Sequence, residues 1–267
     1  MYKHFYNLKE NPFNVTADPD FFFFSPHHNE AFSHLTYAIQ HRKGISIITG
    51  EIGTGKTTLC RMLLNNLEKT IKTALILNPS FSDLQLIRLI LKDLGVECKQ
   101  KNKFALIDAL NDFLLEESDK GNNVVLIIDE AQNLRIKQLE QIRLLSNLET
   151  EKDKLLQIIL VGQPELTEKL KQTSIRQLNQ RITVRYHILP LERNDIERYI
   201  KHRLSVASNS KVHVHFNKEA IDEIFTLSGG TPRMINIICD RALLAGFTKD
   251  THTITKDIIE ESAREVI

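Results

Sequence analysis

The sequence lacks any run of about 18 apolar residues, the length that a helix needs to cross a bilayer. Residues 1–6 lack the apolar stretch and the cleavage site of a secretory signal peptide. Cysteines are few and odd in number, and the three present, Cys60, Cys98 and Cys239, do not have metal-ligand spacing. We expect each of them to be a small buried side chain in a reducing compartment. These absences predict a cytoplasmic protein without a transmembrane segment.

The sequence also lacks an excess of charge of either sign. Its 35 lysines and arginines balance 34 aspartates and glutamates, and the formal net charge is +1. Proteins that cover nucleic acids usually present a broad basic face. The composition therefore disfavours nucleic acid as the partner without excluding it. The 267 residues suffice for one large domain or two modest ones, each with its own core.

The most informative segment is residues 50–57, which read Gly-Glu-Ile-Gly-Thr-Gly-Lys-Thr. They follow the β-type apolar run 45–49 and lead into a helical pattern over residues 58–64. A G-x-x-x-x-G-K-[ST] string between a strand and a helix directs backbone N–H groups and the helix N-terminus at one place, which favours a polyphosphate. The alternative, a chance match in a tight turn, does not explain the strand before the loop and the helix after it. The segment predicts a nucleoside triphosphate site, and we call it the phosphate loop.

The phosphate loop assigns roles to individual residues. Lys56 is predicted to place its ammonium group near the β- and γ-phosphates, and the hydroxyl of Thr57 is predicted to be a ligand of Mg²⁺. The glycines allow the backbone to approach the phosphate oxygens without an intervening Cβ. The predicted nucleotide contacts are Gly50, Glu51, Ile52, Gly53, Thr54, Gly55, Lys56, Thr57 and Thr58.

An acidic pair follows the apolar run 124–128, which predicts a strand covered on both faces. A carboxylate at the carboxyl end of a strand beside the phosphate loop is suitably placed to support Mg²⁺, and we assign this role to Asp129. Glu130 is predicted to be the general base that polarises the attacking water. The alternative is a helix N-cap with a favourable first-turn charge, and the upstream phosphate loop argues against it.

Gln163 follows the fourth predicted strand, residues 156–161. A polar side chain at that strand end is expected beside the γ-phosphate, where it can hydrogen-bond to the phosphate or to the attacking water. The alternative is a turn-forming polar residue in front of Pro164.

Three arginines follow the fourth strand, two before a fifth predicted strand, residues 183–188, and one inside it. An arginine supplied by a neighbouring subunit stabilises charge on the transferred phosphoryl group and contributes about 10³–10⁵ in rate. We assign this role to Arg181. For Arg176 the same role and a solvated surface position stay open, and Arg185, inside the strand, is predicted to be structural.

The alternation of strands and helices up to residue 190 indicates an α/β domain with a mainly parallel sheet. Beyond it, helical patterns dominate. We therefore predict two domains: residues 1–190 contain an aromatic N-terminal segment and the nucleotide-binding core, and residues 191–267 form a helical lid. In the lid, Arg233 stands in the first turn after a proline. A cation there opposes the helix dipole, so we expect it to reach an anion, the γ-phosphate, rather than to be a tolerated surface arginine.

In combination, these motifs resemble an AAA+ ATPase, and more narrowly the ExeA or general secretion pathway protein A type. The resemblance extends over essentially the whole chain. The segments that carry it are residues 50–57, 129–132, 162–166, 180–182 and 230–233, with the opening segments 6–13 and 18–21.

The resemblance implies a P-loop core with a parallel five-stranded sheet, the strand of the phosphate loop near its centre, and a C-terminal α-helical lid. It implies sensor roles for Gln163 and Arg233. It also implies an arginine near Arg181 that acts across subunits, and hence a homo-oligomer. The aromatic N-terminal segment is expected either to close over the adenine ring or to pack as a strap on the core.

The resemblance further implies Mg²⁺-dependent ATP hydrolysis coupled to secretion, pilus or exopolysaccharide machinery, through partners at the inner face of the cytoplasmic membrane. The alternative is a DNA-associated AAA+ regulator such as a transposition ATPase, which shares the same motifs. Members of the ExeA type often continue into a transmembrane helix and a peptidoglycan-binding domain. Because this sequence stops after the lid, we expect either a short relative or a truncated form.

Overall fold

The computed structural model describes residues 2–79, 81–100, 102–151, 153–208 and 212–264. The chain folds into two compact units. The sheet unit comprises Asn29–Glu51 and Met62–Ile188, and the terminal unit comprises Met1–His28, Ile52–Arg61 and Leu189–Ile267. The sequence predicts a boundary elsewhere, with domains 1–190 and 191–267. In the two compact units, the N-terminal segment instead belongs with the C-terminal helices. The domain boundary near residue 190 therefore stays a prediction.

The sheet unit contains a five-stranded sheet in which every neighbouring pair is parallel. Its order is β2-β3-β4-β1-β5, which confirms the predicted P-loop α/β class with the first strand in the interior of the sheet. The strands are β1 (Ile45–Gly50), β2 (Ile71–Ile76), β3 (Asn123–Ile128), β4 (Leu156–Gly162) and β5 (Ile182–Ile188).

Burial explains why these segments are strands. Every residue of β1, β3 and β4 is buried, as expected for parallel strands with both faces covered, which appear in a sequence as unbroken apolar runs. The edge strand β5 instead alternates between half-buried and exposed residues until Ile188. That alternation is the period of two that a strand with one wet face requires.

Helices fill the connections between the strands and form most of the terminal unit. In chain order they are α1 (Tyr2–Phe5), α2 (Pro26–Gln40), α3 (Lys56–Asn66), α4 (Asp83–Asp93), α5 (Lys103–Asp119), α6 (Ile136–Leu145), α7 (Pro164–Leu170), α8 (Arg176–Gln180), α9 (Arg193–Val206), α10 (Lys218–Ser228), α11 (Pro232–Thr248) and α12 (Lys256–Ala263). Two short parallel strands, β6 (His215–Phe216) and β7 (Thr253–Ile254), lie among the last four helices.

Local chemistry fixes several helix starts. At α4, Ser82 Oγ accepts a hydrogen bond from the Gln85 N–H, and the Gln85 side chain accepts one from the Ser82 N–H. This capping box satisfies two of the backbone donors that a helix start leaves open. The sequence pattern predicts a last helix over residues 255–266, and its predicted end at Val266 lies outside the described residues.

The aromatic N-terminal segment packs on the helices of the terminal unit. Tyr6, Phe13 and Phe21 belong to the same buried apolar cluster as side chains of α9 and α11. The buried guanidinium of Arg203 donates to the carbonyls of Pro12, at 2.5 Å, and Asn14, at 3.1 Å. A buried cation is costly unless its donors are satisfied. These contacts favour the strap, of the two roles expected for the segment.

Two of the three cysteines are buried as predicted, Cys60 and Cys239. The prediction was wrong for Cys98, which is only half-buried because it lies in the loop between α4 and α5. Among the described residues, none of the helices has the length and hydropathy that a bilayer crossing requires.

We predict that the sheet core tolerates truncation poorly. Leu126 of β3 is fully buried, and Leu126→Ala should lower the free energy of unfolding by about 2–5 kcal/mol through lost burial and a residual cavity. Urea titration followed by circular dichroism measures this change. Phe104→Ala is the control, because Phe104 is 79% exposed and its loss should change stability by less than about 0.5 kcal/mol. Equal effects of the two variants would contradict the assignment of the core.

Candidate functional site

Parallel strand pairing brings three strand ends together at one edge of the sheet. At the carboxyl end of β1, Thr49 pairs with Gly162 of β4, and Ile128, the last residue of β3, pairs with Leu160. The phosphate loop, which starts at Gly50, therefore leaves the sheet at the same edge as the polar residues that follow β3 and β4. This edge is where ligands bind in open α/β sheets.

The acidic pair occupies a strained turn after β3. Asp129 is 2% exposed, and its backbone N–H donates to the carbonyl of Ile76. Glu130 has a φ of 52°, in the left-handed region, and its N–H donates to Asp129 Oδ1 at 2.8 Å. A non-glycine residue in that region costs about 1–2 kcal/mol. Strain of this kind persists only where the surroundings impose it, and it is concentrated at functional sites.

Two glutamines hold the Glu130 carboxylate. Gln132 Nε2 donates to Glu130 Oε2 at 2.5 Å, and Gln163 Nε2 donates to the same oxygen at 3.3 Å. The Gln163 backbone N–H donates to Gln132 Oε1 at 3.1 Å, so the three residues form a closed hydrogen-bonded triangle. The structure thus brings together two residues that the sequence singled out, Glu130 and Gln163. The structure adds Gln132, a residue of segment 129–132 to which the sequence analysis assigned no role, as a second donor to the Glu130 carboxylate.

A lysine fixes the turn that carries this triangle. The Lys169 ammonium donates to the carbonyl of Leu134 at 2.9 Å and also to the carbonyl of Gln132. Hydrogen bonds from a charged donor are stronger than neutral ones. Helix α7 therefore ties the backbone after Glu130 to the end of β4.

In the terminal unit, the phosphate loop packs against the start of α11. Gly53 has a φ of 81° and Gly55 a φ of 94°, values that glycine adopts without a steric penalty. The Arg233 N–H donates to the Gly53 carbonyl at 3.2 Å. A Cβ added at Gly53 would lie 2.7 Å from Arg233 Cβ. The exposed Arg233 therefore stands in the first turn of α11, as predicted, and its backbone contacts the loop directly.

The end of the phosphate loop presents cationic and N–H donors. Lys56 is the first residue of α3 and is 6% exposed, and Thr54, two residues earlier, is fully buried. The Gly55 carbonyl accepts the α-helical hydrogen bond from the Leu59 N–H at 2.9 Å. A helix N-terminus, with its positive dipole end beside an ammonium group, is a donor set that fits a polyphosphate anion.

A histidine that the sequence reasoning did not identify contacts the phosphate loop. The Nε2 atom of His28 lies 2.8 Å from the carbonyl oxygen of Thr54. His28 is 3% exposed, and burial lowers the pKa of its ring below the ordinary value, against the opposing effect of the hydrogen bond to Thr54. No spacing or periodicity in the sequence signals this contact.

The arginines between β4 and β5 lie elsewhere in the sheet unit. Arg181 is half-buried after α8 and directly precedes β5, whose first residue Ile182 pairs with Ile45 at the start of β1. The phosphate loop leaves from the other end of β1, and six residues at about 3.3 Å each put the two ends about 20 Å apart. The structure therefore does not bring Arg181 to the carboxyl edge. Arg176 is exposed, and the Arg185 guanidinium donates to Asn179.

Comparison with known proteins identifies relatives of this chain. The AAA domain family model matches residues 39–170. Over all of its residues the chain is 44% identical to general secretion pathway protein A of Aeromonas hydrophila, and it covers 48% of that protein. The chain thus spans about half the length of the curated relative that it matches.

Solved structures with the same fold come from more distant proteins. The Cdc6p structure of Pyrobaculum aerophilum has a TM-score of 0.70 at 17% identity, over 94% of this chain and 71% of that chain. The ORC2 protein of Aeropyrum pernix, as ADPNP-ADP complexes, has a TM-score of 0.67 at 14% identity, over 90% and 67%. The Holliday junction branch migration motor RuvB of Thermotoga maritima has a TM-score of 0.61 at 18% identity, over 95% and 73%. Likeness at this level of identity shows the fold alone.

We predict that the phosphate loop does not accept a side chain at its first turn. Gly53→Ala should lose about 1–2 kcal/mol through backbone strain, and about 1–3 kcal/mol more through the contact with Arg233. The control is Gly95→Ala. Gly95 has a φ of 75°, similar to that of Gly53, but a Cβ added there would have no atom of the described residues within 4 Å. Gly95→Ala should lose only the part of the free energy of unfolding that comes from backbone strain, about 1–2 kcal/mol. Urea unfolding followed by circular dichroism compares them, and equal losses would contradict the packing of α11 on the loop.

Proposed function

We propose, from the premise that this chain belongs to the AAA+ family of ATPases, that it binds ATP with Mg²⁺ and hydrolyses it. The observation that carries the proposal is the meeting of three features at the carboxyl edge of one parallel sheet. These are the start of the phosphate loop, the strained Glu130 and the Gln163 side chain that donates to it. A base held beside the strand that leads into a phosphate loop is the arrangement that nucleotide hydrolysis needs.

In the binding step, we assign the phosphates to the phosphate loop and the start of α3. The Lys56 ammonium and the N-terminal N–H groups of α3 supply the positive potential that a triphosphate requires. The hydroxyl of Thr57 and the carboxylate of Asp129 are the oxygen ligands that Mg²⁺ prefers, and the bound ion would neutralise charge on the phosphates. The proposed nucleotide contacts are those of Gly50, Glu51, Ile52, Gly53, Thr54, Gly55, Lys56, Thr57, Thr58 and Arg233.

In the hydrolytic step, Glu130 acts as the general base. Both amide donors, from Gln132 and Gln163, reach its Oε2 atom. We therefore assign Oε1 to the attacking water, whose proton it accepts as the oxygen attacks the γ-phosphorus and the bond to the β-phosphate oxygen breaks. The Gln163 side chain, which donates to Glu130, senses the γ-phosphate. The Arg233 side chain has the same sensor role from the first turn of α11.

Arg181 is assigned to the site of a second subunit. Its position at the amino end of β5, about 20 Å along the sheet from the carboxyl edge, supports a role outside its own site. A guanidinium that a neighbour inserts would stabilise charge on the transferred phosphoryl group. The active form is therefore a homo-oligomer in which neighbouring chains share a site.

The process that hydrolysis serves is proposed from the relative. At 44% identity to a general secretion pathway protein, the chain is expected to couple ATP turnover to the assembly of secretion, pilus or exopolysaccharide machinery. We place it in the cytoplasm, at the inner face of the membrane through these partners. The structural likeness to ORC2, Cdc6p and RuvB does not support the DNA-associated alternative, because at 14–18% identity it shows the fold alone.

We predict that Glu130→Gln separates ATP binding from hydrolysis. The amide keeps the shape but cannot accept the proton, so turnover should fall about 10²–10⁴-fold while the Kd for ATP with Mg²⁺ stays within about twofold. Phosphate release and isothermal titration calorimetry measure the two quantities. Glu165→Gln, which alters an exposed glutamate of α7, is the matched control and should leave both unchanged.

Unchanged turnover in Glu130→Gln would remove Glu130 from the role of base. The proposal as a whole fails if the wild-type chain does not bind ATP in the presence of Mg²⁺. Lys56→Ala should abolish that binding, because it removes the loop's ammonium group.

We predict that Arg181→Ala lowers turnover about 10³-fold or more without changing the Kd for ATP, since its guanidinium belongs to the neighbour's site. Lys171→Ala removes one exposed cation from the preceding segment and should have no effect. Mixing Arg181→Ala with Lys56→Ala should restore part of the activity, because each variant supplies what the other lacks. Mixing Arg181→Ala with the double variant Lys56→Ala/Arg181→Ala should not. Equal activity in both mixtures would rule out a shared site.

A further inference from the structure

We infer that His28 is a positioning residue for the nucleotide: its ring holds the Thr54 carbonyl and so orients the N–H groups of the phosphate loop. The inference rests on the proposed function, since it concerns the affinity of the same site for ATP. It goes beyond that function because it gives the first turn of α2 a part in nucleotide binding. Both residues belong to the terminal unit.

The hydrogen bonds of His28 determine its protonation. A carbonyl oxygen only accepts, so the Nε2 atom, 2.8 Å from Thr54 O, carries a proton. The Nδ1 atom lies 2.6 Å from Ser25 Oγ, and in the neutral ring it accepts the serine hydroxyl. Ser25 Oγ in turn accepts the His28 N–H at 3.3 Å. One neutral tautomer therefore satisfies both ring nitrogens of His28 and the hydroxyl of Ser25.

The surroundings of the ring keep it in this state. His28 is 3% exposed and Ser25 is 1% exposed, and the Phe22 ring meets the imidazole edge to face at a centroid distance of 5.3 Å. A buried imidazole favours its neutral form, because burial penalises the charged one. The ring is thus a fixed donor with a single orientation, unlike a surface histidine.

The held carbonyl matters because a trans peptide group is rigid. The C=O of Thr54 and the N–H of Gly55 belong to one planar unit and point in opposite directions. When His28 fixes the carbonyl, it also directs the Gly55 N–H to the other side of the loop. The N–H groups of a loop in front of a helix are the donors that bind a phosphate.

The preceding peptide group is held in the same way from another element. The Gly53 carbonyl accepts from the Arg233 N–H at 3.2 Å, which directs the N–H of Thr54. Two consecutive peptide groups are thus fixed by residues distant in sequence. Gly53 and Gly55, which flank Thr54, have positive φ and no side chain to restrain them, so the loop depends on such contacts for its order.

Space around the loop is also matched to the ring. A Cβ added at Gly55 would lie 3.1 Å from His28 Nε2, a tight approach for a carbon atom. His28 therefore covers the side of the loop at Thr54 and Gly55, as Arg233 covers Gly53. A histidine that merely filled the core would not need this hydrogen bond, and the experiment below separates the two roles.

The test compares variants that keep or remove the donor. His28→Phe retains the ring volume without a donor, and His28→Gln places an amide N–H near the position of Nε2. The Kd for ATP with Mg²⁺ and the KM and kcat for hydrolysis are measured for both. We expect His28→Phe to raise Kd and KM about 10-fold, as for one lost hydrogen bond to an ordered loop. The kcat should stay within about twofold, and His28→Gln should restore Kd to within about threefold of wild type.

His202→Phe is the matched control for loss of an imidazole from the terminal unit, since its ring packs on Phe23 at 5.8 Å. It should change thermal stability but not the Kd for ATP. If His28→Phe fails to fold, Ser25→Ala replaces it. That variant keeps the ring but removes the hydroxyl that orients it, and it should raise Kd about threefold.

Two results would overturn the inference. One is a wild-type Kd in His28→Phe, or in Ser25→Ala where that variant replaces it. The other is the same loss of affinity in His28→Gln as in His28→Phe, which would show that the ring acts through its shape. Both results require a wild-type chain that binds ATP, so they are distinct from a failure of the proposed function, in which the wild type itself does not bind.

Discussion

The parallel pairing of β3, β4 and β1 is the constraint on which the site depends. Because the register is fixed along each pair, the three strands must all end at one edge of the sheet. A slip by a single residue would exchange the two faces of a strand and disrupt the packing of its side chains on both. Full burial of the three strands therefore makes the position of Glu130 and Gln163 a consequence of core packing. It equally places Arg181 at the far end.

Hydrogen bonds, rather than apolar packing, hold the two functional turns. After β3, the turn at Glu130 is fixed by the Gln132 amide and the Lys169 ammonium. In the phosphate loop, the carbonyls are bound by His28 and by the start of α11. A buried carbonyl without a partner is costly, so each of these contacts removes alternative conformations of its turn. The shape of the loop is thus determined by segments far from its own motif.

The sequence was sufficient to predict features that local chemistry or a repeating pattern encodes. The apolar run of β3 indicated a buried strand, and the phosphate-loop motif indicated a strand-to-helix turn. The strand ends before Glu130 and Gln163 indicated that both side chains act at the γ-phosphate. It did not reveal the roles of His28, Gln132 or Arg203. Each of these acts through hydrogen bonds of its own side chain, and each reaches a partner distant in sequence. Such contacts leave no periodicity or spacing in a single sequence.

The strap formed by Tyr6, Phe13 and Phe21 has a consequence for synthesis on the ribosome. These side chains are made before the helices that bury them, which come after residue 188, about 170 residues later. At about 5–20 residues per second, the interval lasts roughly 10–30 s. During it, the nascent chain can complete its parallel sheet while the strap stays uncovered. Ribosome-associated chaperones that bind aromatic segments can bind the strap during that interval.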